Sequence, residues 1–137
     1  MFKLYKMKVK LIKSPKSTKK FRVIFEDGSK VDFGARGYTD YTKHRNPLRM
    51  RSYVDRHGGV VPKKIIKETN PSKVHRMMLG VSRSTKENWS DPKTAGFWSR
   101  WLLWSDPTLN GARKVIEQKF QIKVSFFKKN LPRYRGP

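Results

Sequence analysis

Met7, Val9 and Leu11 alternate with Lys8, Lys10 and Ile12 near the start of the chain, a period of two that predicts a strand with one wet face. Ser14-Pro15-Lys16-Ser17 breaks the pattern. A second run, Phe21-Arg22-Val23-Ile24-Phe25, enters Glu26-Asp27-Gly28 and leaves as Lys30-Val31-Asp32-Phe33. A two-residue Asp27-Gly28 turn would set Phe25 against Lys30 and Val23 against Asp32. A three-residue loop instead pairs Val23 with Val31 and Phe21 with Phe33, with Gly28 in the left-handed position of a bulge. Cross-strand apolar pairs stabilise a sheet by about 0.2–1 kcal/mol each, which selects the second register.

Beyond the hairpin the spacing becomes helical. Asn46-Pro47, Asn70-Pro71, Asp91-Pro92 and Asp106-Pro107 each place a capping side chain before a proline that has no N–H to strand, so each predicts a helix start. The predicted helices run over about 47–57, closed by Gly58-Gly59, then 71–79, 92–104 and 107–119. The third is the most apolar stretch, with Phe97, Trp101 and Trp104 on one stripe and Trp98 and Leu102 flanking it. Phe120, Ile122, Val124 and Phe126 then alternate with polar residues as a final strand. The expected fold class is α+β: a small sheet containing a β-hairpin, three or four short helices, and extended basic termini.

The 137 residues are 36% hydrophobic and 12% aromatic, so a small aromatic core is expected rather than disorder. Charge changes the picture more. Thirty-three Lys and Arg against 10 Asp and Glu give a net +23. Residues 1–20 hold eight lysines and no acid, and residues 119–137 hold six cations and no acid. The layout is a basic N-terminal arm or strand (1–20), a mixed-charge body (21–118) and a basic C-terminal strand and tail (119–137). Such a chain repels itself and calls for a polyanion or an acidic protein surface as neighbour. The cations expected to meet it are Lys6, Lys8, Lys10, Lys13, Lys16, Lys19 and Lys20 at one end, and Lys128, Lys129, Arg133 and Arg135 at the other. There is no cysteine, which excludes disulfides and thiolate metal sites. No apolar run approaches the ~18 residues of a membrane span, and Met-Phe-Lys-Leu-Tyr-Lys lacks a signal peptide's apolar stretch. Neither an integral membrane protein nor one secreted by that route is expected.

Three segments carry a resemblance: Phe33-Gly34-Ala35-Arg36-Gly37-Tyr38-Thr39-Asp40-Tyr41-Thr42-Lys43-His44, Arg51-Ser52-Tyr53-Val54-Asp55-Arg56-His57, and Trp89-Ser90-Asp91-Pro92-Lys93-Thr94-Ala95-Gly96-Phe97-Trp98-Ser99-Arg100-Trp101-Leu102-Leu103-Trp104. In this order they resemble a family of small basic proteins encoded by large icosahedral double-stranded DNA viruses, those of algae and amoebae among them. The resemblance spans about residues 21–109. It implies a virus-encoded structural protein. Two departures stand out: about thirty residues, 58–88, separate His57 from Trp89 where the family runs on closely, and the basic ends lie outside the matched core.

Candidate chemistry is sparse. His44, His57 and His75 lack i,i+4 or HExxH spacing, so no metal site is expected. Asp40 among Tyr38, Tyr41 and His44 imitates an acid–base cluster, yet one carboxylate is too few for a two-metal nuclease. No phosphate-binding glycine loop occurs, and neither cofactor, small-molecule substrate nor enzyme activity is expected. Tyr38, Tyr41, Trp98, Arg100, Trp101 and Trp104 are candidate partner-interface residues, since Trp, Tyr and Arg dominate binding hot spots. For the tryptophans, packing in the core is the competing reading. The expectation is a minor capsid protein on the inner face of an icosahedral shell. It would bridge capsomers of the major capsid protein and other minor capsid proteins through basic arms that order on assembly, and would be found in the virion and in the host cell during assembly. The alternative is a DNA-condensing or packaging protein that neutralises viral DNA without reading its sequence; there, Phe126, Phe127 and Tyr134 would stack on bases.

Overall fold

Phe21 stands opposite Phe33 and Val23 opposite Val31, the register chosen by apolar pairing, and Gly28 takes the left-handed conformation (φ 86°) that closes the loop. The computed structural model describes residues 4–127. Its four strands are β1 (Met7–Lys13), β2 (Lys19–Phe25), β3 (Lys30–Ala35) and β4 (Ile122–Phe126). They form one mixed sheet in the order β3-β2-β1-β4, with β1 antiparallel to β2 and parallel to β4. The chain is therefore α+β. Residues 7–13, expected as a basic arm or strand, lie at the centre of the sheet, and β4 from the opposite basic end pairs beside them. Neither stretch is a free arm.

Among the described residues six α-helices accompany the sheet: α1 (Tyr41–His44), α2 (Pro47–Arg56), α3 (Lys63–Lys67), α4 (Pro71–Met78), α5 (Ala95–Trp98) and α6 (Leu109–Phe120). A π-helical turn, Ser99–Leu103, continues α5. Asn46 and Asn70 cap α2 and α4 as predicted, accepting from the backbone N–H groups of Leu48 and Lys73. Asp91 and Asp106 do not cap helices. Each accepts an N–H two residues on, from Lys93 and Thr108, which is a local turn. The caps fall to Thr94 and Thr108, whose hydroxyls accept from Phe97 and Gly111. The two helices consequently start three and two residues later than Asp-Pro signalled.

One face of the sheet (Val9, Leu11, Phe21, Val23, Phe25, Phe33, Ile122, Val124) is buried together with Phe97, Trp98, Leu102, Ala112 and Ile116. Trp98 is central: its ring lies 6.2 Å from Phe33 and 6.4 Å from Phe25. The tryptophan-rich stretch is enclosed on nearly all sides, so the interface expectation for Trp98, Arg100, Trp101 and Trp104 is corrected to a core role. Trp98, Arg100 and Trp101 are fully buried and Trp104 is 8% exposed. Tyr41 is buried too, its hydroxyl 2.8 Å from Nδ1 of His75.

Residues 58–88 form an excursion pinched at its base. Val60 N donates to Arg83 O and Thr85 N to Gly58 O, with Gly59 bridged to Ser84. Between these closures α3 and α4 pack beside one another, and α4 packs on α2.

Candidate polyanion interface and an arginine cleft

Alternation along β1 buries Val9 and Leu11 and leaves Lys8 and Lys10 exposed on the opposite face. The sheet register then decides which cations meet. Lys8 is directly opposite Lys123, while Lys10 shares a row with Ile24 and Lys30 on one side and Ser125 on the other. Strands lie about 4.8 Å apart, so Lys8, Lys10, Lys30 and Lys123 share one small patch. None of the four has an ion-pair partner among the described residues. Lys10 sits 5.3 Å over the ring of Phe127. Beside them runs a groove of about 460 Å³ whose lining includes Lys8, Lys10, Ile24, Glu26, Ser125 and Phe127.

One acid stands at the patch: Glu26 lines the groove and accepts the Lys8 backbone N–H at 3.3 Å, without an ion pair to any of the four lysines. Every acidic residue except Asp55 has a side-chain oxygen in an internal hydrogen bond. Asp32 takes Arg22 through two bonds and also Ser14, and Lys16 lies 3.7 Å away. The Arg22 hydrogen bond holds the Asp32 carboxyl below the usual carboxylate range. Asp40 caps α1 through Thr42 and binds Lys20 at 2.6 Å, with both side chains buried. Lys20 is thus removed from the cations expected to face a partner. Asp40 is held by structure in the same way: its oxygens go to the cap and to Lys20. Lys6, Lys8, Lys10, Lys13 and Lys16 are exposed and Lys19 is half-buried. Lys128, Lys129, Arg133, Arg135 and Tyr134 lie outside the described residues.

A second feature was not anticipated. Arg49, Tyr53 and Arg56 fall at i, i+4 and i+7, one face of α2. They line a cleft of about 460 Å³ together with the turn after β3, which carries Tyr38, and the start of α5. Its floor is a stack of rings: Tyr53 lies 4.0 Å from His57 on one side and 4.1 Å from Trp104, nearly parallel, on the other. Burial raises the Tyr53 phenol well above its ordinary pKa. Glu87, from the end of the 58–88 excursion, holds His57 Nδ1 at 3.1 Å and accepts Trp89 Nε1–H at 2.8 Å. Tyr38 is 73% exposed at this cleft, the one aromatic interface candidate that stays at the surface. The i/i+4/i+7 spacing of Arg49, Tyr53 and Arg56 is the signal the sequence offers for this face.

Residues 9–57 match a family described as a family of unknown function, DUF5754. The match runs from β1 to the last turn of α2 and stops where the 58–88 excursion begins. No curated protein and no solved structure matches the chain. Among the described residues no group of three or more His, Asp or Glu is placed to hold a metal ion, and no helix is long and apolar enough to cross a membrane.

Proposed function

We propose that this chain is a structural virion protein, a minor component on the inner face of an icosahedral shell. It bridges neighbouring capsomers by laying a basic surface on acidic surfaces of the major capsid protein and other minor capsid proteins. The viral setting comes from the three-motif resemblance. The observation that carries the binding mode is the lysine patch on the open sheet face. Lys8, Lys10, Lys30 and Lys123 crowd together, and although Glu26 lies beside Lys8, none of the four forms an ion pair among the described residues, so a negatively charged neighbour relieves their repulsion. The mechanism differs from arms alone, since a folded sheet face presents the charge.

Cross-linking of purified particles tests the reading. Links from Lys8, Lys10 or Lys123 to capsid proteins are expected, with the chain in the shell fraction after mild disruption. Recovery in the nucleoprotein fraction without capsid links overturns it. One observation favours a second reading, non-specific DNA binding: Phe127 lies in the same groove beneath Lys10, and cations interleaved with aromatic rings suit single strands. A salt titration separates the two. DNA binding that persists at ~150 mM salt supports packaging, and its absence there supports capsid contacts.

A further inference from the structure

We propose that the cleft between Tyr38 and helix α2 is a second docking site, one that takes an extended acidic peptide segment of a partner protein and clamps its carboxylates with Arg49 and Arg56. Both arginines are exposed, and neither guanidinium has a hydrogen-bond or ion-pair partner among the described residues. The acids that reach the cleft are already taken: Asp40 by Lys20 and the α1 cap, and Glu87 by His57 and Trp89. The cleft therefore offers two unpaired forks whose geometry matches carboxylates bidentately. Seven helical residues set their backbones about 10 Å apart. Long arginine stems converge from there onto acidic side chains about 7 Å apart, the spacing of alternate residues in an extended chain.

The floor argues for a peptide over a nucleic-acid strand. Base recognition needs open aromatic faces, and both faces of Tyr53 are covered, by His57 and by Trp104. The rings exposed there are those of Tyr38 and, in part, His57, both at the rim of the stack and not its floor. The volume, about 460 Å³, lies in the range of sites that enclose a small ligand or a few side chains. The stack also makes the floor rigid. Glu87 fixes His57, His57 lies on Tyr53, and Tyr53 lies on Trp104, so the arginine-bearing face of α2 is held in place before any partner arrives.

The inference rests on the reading that the partner is an acidic protein, but it uses a surface separate from the lysine patch. The experiment uses the full chain and a fluorescein-labelled peptide of about twelve residues in which Glu alternates with Ser, with a Gln-for-Glu peptide as control; Arg49→Ala/Arg56→Ala is expected to weaken binding about tenfold or more, the scale of a hot-spot pair. Tyr38→Ala is expected to weaken it severalfold, and amide shifts on titration should cluster at 38–40 and 49–57. Circular dichroism confirms that the variants fold. If Lys8→Glu/Lys10→Glu abolishes peptide binding and the arginine pair does not, the cleft is wrong while the sheet-face reading stands. Should neither pair matter, both surfaces are wrong as acidic-protein sites. An oligo-dT strand that binds where the peptide does not, and is lost in the arginine variant, overturns the peptide assignment in favour of phosphate.

Discussion

The guanidinium of Arg100 donates to the carbonyl oxygen of Met78 at 2.7 Å, joining the tryptophan-rich segment to the C-terminal end of α4, 22 residues earlier in the chain. The same group donates to Val81 O at 3.0 Å and Trp104 O at 2.6 Å. It lies 4.4 Å from the ring of Trp101 and 5.6 Å from that of Trp89. No carboxylate pairs with it among the described residues. Carbonyl dipoles at a helix end and aromatic faces replace one, and both favour a cation. Burial lowers its pKa to about 9, which keeps it charged at neutral pH. Arg100 is thus a fastener between the 58–88 excursion and the core.

Replacing it tests that role. Arg100→Met fills similar volume but leaves the Trp104 and Val81 carbonyls without a donor, Met78 O keeping the Val81 N–H, at roughly 1–3 kcal/mol for each orphaned acceptor, so a loss of about 2–5 kcal/mol in unfolding free energy is expected. Arg100→Lys keeps the charge and loses the planar fork, and should fall between the two. Urea denaturation measures both. A Met variant within about 1 kcal/mol of the parent means that the fastener is not structural.

The lysine patch carries its own prediction. Like charges directly opposite in a sheet are destabilising, and Lys8 faces Lys123 with no intervening acid. Lys123→Glu should therefore raise stability by about 0.5 kcal/mol at low salt, shrinking as salt screens the pair. Thermal melts at two ionic strengths read this out. An unchanged melting temperature at low salt would mean that the two ammonium groups already avoid each other.

Much of this fold was legible in local pattern. The hairpin register followed from setting Val against Val and Phe against Phe, and the Asn-Pro pairs marked α2 and α4. What failed, failed for physical reasons. The Asp-Pro pairs close turns, because a threonine nearer each helix offers a better-placed hydroxyl. The short α1 and α3 carry too few residues for periodicity to register. The parallel pairing of β1 with β4 is a contact between chain ends that no local signal announces. The cleft was hidden more deeply: Arg49 and Arg56 resemble any solvated helix face until Tyr38, Glu87 and Trp104, from three distant segments, are folded around them.

Gly59 shows how tightly the excursion is closed. A Cβ there would stand 2.4 Å from Val54 Cγ1 and 2.7 Å from the Val54 carbonyl oxygen, with Trp89 close behind. Backbone cannot yield cheaply, so Gly59→Ala should cost about 1–3 kcal/mol. It should also loosen the pinch that places Glu87. Chemical denaturation gives the first quantity, and amide hydrogen exchange at Val60 and Thr85 reports the second. Protection unchanged at both amides would disconnect Gly59 from the closure.

His44 gives the fold a mildly acidic weak point. Its Nδ1 accepts the N–H of Asn46 at 2.9 Å, while Nε2 is buried without a partner. The ring packs 5.3 Å from Trp104 and 6.0 Å from Tyr41. Burial, reinforced by the Arg49 charge and opposed by Asp40, lowers its pKa below the ordinary 6.5. A proton added to Nδ1 also removes the acceptor for Asn46. The folded state therefore binds fewer protons than the unfolded chain in the window beneath about pH 6.5. Stability from this residue is complete above that pH and is lost as pH falls through the lowered folded value. His44→Gln keeps an acceptor and takes no proton, so its stability should fall less than the parent's between about pH 7 and pH 5 in urea titrations. Parallel profiles for the two proteins would remove His44 as the source.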